Sequence, residues 1–196
     1  MSKVTRFIII ILVTLGLTSC DVLQQMSQMA NFVNCTFEFE SVSSVQMLGV
    51  NLHKDMKKTD LNVNQLLKLT NALMKKSLPV TFNVNLDIKN PNSSDASMTK
   101  MDYILTLNDK EIISTTMDSQ ISVPANSSNI VTIPVTTDLF QLFSGESGDA
   151  VMNLAFKLAG ASSDPVNVGV KVKPYITIGG RQLAYHDYIT MNKVLK

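Results

Sequence analysis

Tryptophan is absent from this 196-residue chain, and aromatic residues make up only 6%. That leaves little material for a stacking platform. Charge is also scarce. Asp, Glu, Lys and Arg together reach 17%, against roughly 25% in soluble domains. Intrinsic disorder needs low hydrophobicity and high charge, and a hydrophobic content of 45% excludes it. The net charge is +1. Such a balance exerts no general pull on nucleic acid, and no polybasic membrane patch is present.

Histidine and cysteine are scarcer still, with two of each. His53-Lys54-Asp55 and His186-Asp187 could each lend a metal ligand, but neither gives a three-ligand cluster with zinc-like spacing. No metal and no cofactor is expected. There is no Gly-x-Ser-x-Gly elbow; Gly145-Glu146-Ser147-Gly148 reads as a loop without the strand–turn–helix context. A phosphate-binding glycine loop is missing too. Asp102 and Asp109 fall at opposite ends of one expected strand and read as solvated. The chain is therefore not expected to be an enzyme.

What is present begins with an address. Lys3 and Arg6 precede the apolar run FIIIILVTLGL, Phe7 to Leu17. A basic start, about 7–15 apolar residues and small residues after them make a secretory signal peptide. A transmembrane helix needs roughly 20. The run ends in Leu17-Thr18-Ser19-Cys20, which resembles the bacterial lipobox. That resemblance implies a signal peptide over 1–19, cleavage between Ser19 and Cys20, and lipid on Cys20. One acyl chain binds a membrane only marginally, whereas two or three hold it stably. The expected place is the cell envelope, lipid-anchored and facing the periplasm. Asp21 is, in some enteric bacteria, a signal for retention at the inner membrane.

Residues 20–35 read as the lipidated Cys and a tether with at most a turn of helix. Cys35 is then the one remaining thiol. It either pairs between chains or is a small residue at the start of a strand. The domain itself is expected over 36–196. Phe37 and Phe39 alternate with Glu38 and Glu40. Residues 62–76 change rhythm, with Val63, Leu66, Leu67, Thr70, Leu73 and Met74 at helical spacing. Asn62 and Gln65 suit a capping-box variant. The expected helix packs on the domain through Leu66, Leu67 and Leu73; a partner-binding or membrane-surface helix is the alternative.

In Pro79–Lys89, Val80, Phe82, Val84, Leu86 and Ile88 point one way and polar residues the other. That is a strand with one buried and one wet face. Asn90-Pro91-Asn92 follows as turn chemistry or, less simply, a recognition loop. Met101–Leu107 alternates and turns at Asn108-Asp109-Lys110 into Glu111–Met117. Ile121 and Val123 belong to another strand, and Val131, Ile133 and Val135 to the next. Asp138 could cap a turn of helix. Met152, Leu154, Phe156 and Leu158 fit a strand, although 149–158 could be helical. Val166–Val172 is a strand, and Tyr175–Ile178 with Arg181–Tyr185 reads as a final hairpin across Gly179-Gly180. Short strands separated by Pro, Asn and Ser turns indicate an all-β sandwich. Asn34, Asn92 and Asn126 begin glycosylation sequons, read here as ordinary turn residues.

The stretch LPVTFNVNLDIKNPNSSDASMTKMDYILTLNDKEIIS (78–114), followed by ISVPANSSNIVTIPV (121–135), resembles the type-2 late embryogenesis abundant family. An alternating strand ends in Asn-Pro-Asn, and "Y-x-L-x-L-N", "I-x-V-P-A" and "V-x-I-P-V" strands come after it. The likeness covers approximately 36–135, with a looser fit to the end. It implies an immunoglobulin- or fibronectin-III-like antiparallel sandwich, a loose link to desiccation and stress tolerance, and no catalysis. The helix at 62–76 is an insertion relative to the plant-type pattern. The function expected is a membrane-anchored, noncatalytic envelope lipoprotein that binds or stabilises partners. The alternative is a carrier of lipid or another hydrophobic ligand, motivated by the 11 Met and the amphipathic helix.

Overall fold

The computed structural model describes residues 23, 24, 26–162, 164–178 and 181–195. The signal peptide, Ser19 and Cys20 lie outside the described residues, as do Gly179 and Gly180.

A helix, α1, runs over 26–33, with 23 and 24 also helical. It leads into β1 (Thr36–Met47), which turns back as the short β2 (Val50–Asn51). A 3-10 turn and α2 (Val63–Met74) come next, then β3 (Pro79–Asn90), β4 (Ala96–Met98), β5 (Lys100–Leu107), β6 (Lys110–Met117), β7 (Ile121–Val123) and β8 (Ser127–Asp138). The chain closes with α3 (Leu139–Leu142), α4 (Gly148–Leu158), β9 (Val166–Ile178), β10 (Arg181–Ala184) and β11 (Ile189–Leu195). One sheet has the order β2-β1-β3-β8 and the other β10-β9-β5-β6, with β11 also on β9; β4 and β7 form a small third pair. Every pairing is antiparallel. The expected antiparallel sandwich is the fold.

Alternation along the strands decides what is inside. Val80, Phe82, Val84, Leu86 and Ile88 of β3 are all buried, as are Met101, Tyr103, Leu105 and Leu107 of β5 and Val131, Ile133 and Val135 of β8. Val166, Val168, Val170 and Val172 of β9 complete the facing layer. The outer face of the first sheet is a polar ladder. Asn85 donates to Ser41 and Ser43 on β1 and accepts from Thr132 on β8, and Lys89 pairs with Glu38 at 2.8 Å. Between β5 and β6 the turn is Asn108-Asp109, with φ of 48° and 63°. Those positive angles match the right-handed twist of a two-residue hairpin.

Four expectations need correction. The tether is in part the helix α1, which buries Phe32 against Phe37 in edge-to-face contact at 5.5 Å; cutting the chain at Asn34 would remove a core side chain. The segment from Met152 to Leu158 is not a strand but lies in α4, where Val151, Met152, Leu154, Ala155, Phe156 and Leu158 are buried. Ser147 caps its start by accepting from the Ala150 amide. The hairpin after Tyr175 is not the last element: β11 pairs with β9 from Ile189↔Val172 to Leu195↔Val166. β9 is continuous through Pro174, because Pro174 stands where its outer neighbour changes from β10 to β11 and its missing N–H leaves no gap in a ladder. Gly169 sits where a Cβ would strike Thr106 Oγ1 on β5 and Asn192 Oδ1 on β11.

The fourth correction concerns α2. Its capping box forms as expected, with Gln65 N to Asn62 Oδ1 at 2.9 Å and Asn62 N to Gln65 Oε1 at 2.8 Å. The helix packs through Leu69 and Ala72, with Leu73 half-buried, while Val63, Leu66, Leu67 and Met74 are exposed. Leu66 and Leu67 therefore do not hold it. The C-terminal end of the helix is held by the chain around it. Ser77 donates to Asp138 at 2.6 Å, the Leu78 amide donates to the same carboxylate at 2.9 Å, and a Cβ at Gly148, at the start of α4, would come within 3.3 Å of Leu73.

These elements give the sandwich two unlike ends. β3 is 12 residues long, so roughly 40 Å separates its ends. At the Pro79 end lie α2, α3, α4 and the β5–β6 turn. At the Asn90 end lie α1, β4, β7 and the β9–β10 hairpin.

Candidate functional site

The Asn90 end is built around one asparagine. Asn90 is buried, and its amide donates to the carbonyls of Ser94, Val123 and Pro124. Its Oδ1 accepts from the Asn92 backbone N–H at 3.0 Å and from Asn92 Nδ2 at 2.7 Å. Asn92 Nδ2 also donates to the carbonyl of Asn31 in α1 at 2.9 Å, and Asn31 Nδ2 donates to the Asp95 carbonyl at 3.1 Å. Ser97 donates to Gln28 Oε1 at 2.9 Å. The Asn-Pro-Asn turn is thus a structural clamp that fixes α1 to the sandwich.

The clamp leaves one flank of α1 facing the β9–β10 hairpin. Between them runs an open apolar groove of about 540 Å³, lined by Met26, Met29, Val33, Ile176, Leu183 and Tyr185 among others. Met26 and Leu183 are about half exposed, and Leu23 stands 67% exposed one turn before Met26. The sequence signal for this groove was the Met-rich run before β1, but nothing in the sequence paired it with Leu183. A second concavity of about 470 Å³ lies at the other end, beside α4 and the β5–β6 turn. Its lining mixes Asp109, Lys110 and Glu146 with Phe143, and Lys110 sits 4.7 Å from the Phe143 ring centroid.

Cys35, Asp102 and Tyr175 are held in structural roles. Cys35 is buried, its thiol donates to the Asn31 carbonyl, and burial pushes its pKa up to about 11. A thiol so protonated is a poor nucleophile. His53 contacts the Lys54 carbonyl and His186 pairs with Asp187 at 2.9 Å, both exposed. Among the described residues no three His, Cys, Asp or Glu side chains converge on a metal position. Asp102 and Asp109 are apart, but Asp102 is more than a solvated acid. It accepts from Thr116 and from the Tyr175 hydroxyl. Burial raises its pKa, yet those hydrogen bonds and the charges of Lys100 and Lys173 outweigh burial and hold it below the usual carboxylate range. The same bond to Asp102, with burial behind it, raises Tyr175. The pair is a proton donor and acceptor already satisfied by each other.

Comparison with known proteins bears on this arrangement. A family model described as late embryogenesis abundant protein (LEA_2) matches residues 85–186, about half of the chain. The chain belongs to the LEA_2 family. The matched span of this LEA_2 protein begins within β3 and ends after β10, so α1, β1 and α2 lie before it. No curated protein matches the sequence. Among solved structures, a protein from Archaeoglobus fulgidus is 12% identical, with 80% of this chain and 98% of that one covered and a TM-score of 0.32. A protein from Arabidopsis thaliana is 13% identical, with 83% of each chain covered and a TM-score of 0.43. A solution structure of a late embryogenesis abundant (LEA) protein is 10% identical over 95% of this chain and 84% of that one, with a TM-score of 0.37. Family membership points to a stress-related, noncatalytic protein.

Proposed function

We propose that this LEA_2 protein is a noncatalytic lipoprotein of the cell envelope, held on a bacterial membrane by lipid at Cys20 and binding or stabilising partners there. The observation that carries the reading is Leu17-Thr18-Ser19-Cys20 at the end of a short apolar run behind Lys3 and Arg6. No helix among the described residues is long and apolar enough to cross a membrane, so the lipid is the attachment this reading rests on. Noncatalysis is supported by the fate of the reactive groups: Asp102 is tied to Tyr175 and Thr116, Asp138 caps a helix, and Cys35 is buried. Partner binding is supported by surface that the core does not use, including the exposed apolar stripe of α2. The carrier reading asks for a pocket that removes most of a ligand from water, and the groove beside α1 is open along its length.

The test is metabolic labelling of the producing cell with an alkynyl fatty acid. Wild type takes up label, and Cys20→Ala takes up none and accumulates as the uncut precursor. Labelling of Cys20→Ala equal to wild type would refute the anchor.

A further inference from the structure

Cys20, the expected site of lipid, precedes Leu23 of the α1 end by only three residues. We propose that the end bearing α1 and the β9–β10 hairpin is a membrane-docking surface, seated on the bilayer that holds Cys20, with Leu23, Met26 and Leu183 immersed in it. The inference rests on the lipid anchor proposed above.

The argument is one of length and rigidity. Cys20 precedes Leu23 by three residues, and a fully extended chain spans at most about 3.6 Å per residue. The lipidated residue therefore lies within about 11 Å of Leu23, whatever path residues 21 and 22 take. Two acyl chains on Cys20 would place it at the boundary between headgroups and hydrocarbon, and the headgroup region of one leaflet is itself only about 5–8 Å thick. α1 cannot swing the domain away on slack. Asn92 and Asn31 tie it to the Asn-Pro-Asn turn, Ser97 ties it through Gln28, and Phe32 is sunk in the core. Whatever faces the membrane is set by the α1 surface, on which Leu23, Met26 and Ala30 are exposed beside Gln24 and Ser27. Leu23 and Met26 are exposed on it, and Leu183 is exposed across the groove. Tyr185 lines the same groove and Tyr188 is exposed on the segment that follows; tyrosine suits a bilayer interface because its ring is apolar and its hydroxyl wet. The opposite end has no such constraint. α2, with Val63 and Met74 exposed, joins β3 at its Pro79 end.

The experiment uses the full-length, acylated protein in vesicles of phosphatidylethanolamine and phosphatidylglycerol. Leu183→Cys, Met26→Cys and, as the distant control, Val63→Cys are each labelled with bimane; native Cys35 is buried and stays unlabelled. Quenching by lipids with doxyl groups on their acyl chains is then measured. Docking predicts several-fold stronger quenching at positions 183 and 26 than at 63. Mass spectrometry of the N-terminal peptide accompanies each sample. Equal, weak quenching at all three positions with acyl chains present on Cys20 overturns the docking surface and leaves the anchor standing. An unacylated Cys20 overturns the anchor, and the docking surface with it. Crosslinking of Leu183→Cys to a second copy assigns the patch to self-association and likewise overturns the proposal.

Discussion

Asn90 and Asp138 show how single polar residues lock this fold at its two ends. Asn90 spends its amide on three carbonyls and its oxygen on Asn92, leaving none of these polar groups unpaired in the interior. Asp138 accepts from Ser77, from the Leu78 amide and from the Phe140 amide, joining α2, β3 and α3. Burial works to raise its pKa, but these hydrogen bonds prevail and hold it below the ordinary carboxylate range. A folded-state pKa below the unfolded value of about 3.9 contributes stability that is complete above that pH and lost as the pH falls through the folded value. Asp102 adds to the same acid loss. Asp138→Asn keeps a good helix cap and removes the titration, so its melting temperature should fall less steeply than wild type between pH 5 and pH 3. Parallel melting curves for the two proteins across that range would show that Asp138 does not contribute. Asp138 was legible in the sequence as a cap, because a short apolar turn follows it. Its bonds to Ser77 and Leu78 were not, since 60 residues of chain intervene.

Strands are legible in the sequence where one face meets the core and the other meets water. β3, β5 and β8 show strict alternation for that reason. Helices fared worse. The sequence of α2 marks an apolar arc from Val63 through Leu66 and Leu67 to Met74, but the arc is wider than the contact, which falls on Leu69 and Ala72. α4 was ambiguous because Met152, Leu154, Phe156 and Leu158 alternate by accident within a helix buried on most of its surface. β11 leaves no pattern in the sequence, since only Met191 along it is buried. Calorimetry separates the two faces of α2. Leu69→Ala should cost about 2–5 kcal/mol, as truncations in packed cores do. Leu67→Ala should stay within about 0.5 kcal/mol of wild type, as exposed substitutions do. A large loss at Leu67 with none at Leu69 would mean that the helix is rotated from the position described.

At the scale of the whole molecule the account is of a sandwich with a division of labour between its ends. The Asn90 end carries α1 and the groove, and the cysteine expected to bear lipid precedes Leu23 by three residues in the chain. The Pro79 end carries α2, α3 and α4. The short apolar run, the Leu-Thr-Ser-Cys ending and the strand order around Asn-Pro-Asn were all legible in the sequence. The groove was not, because it joins Met26 to Leu183 across most of the chain and only the packing of α1 brings them together. Everything functional in this account depends on how the mature chain begins. The direct measurement is mass spectrometry of the N-terminal peptide of the protein purified from its native membrane. The expected chain starts at Cys20 and carries at least a diacylglyceryl group on that sulfur. A chain that retains residues 1–19, or one that starts at Cys20 with a bare thiol, would contradict it.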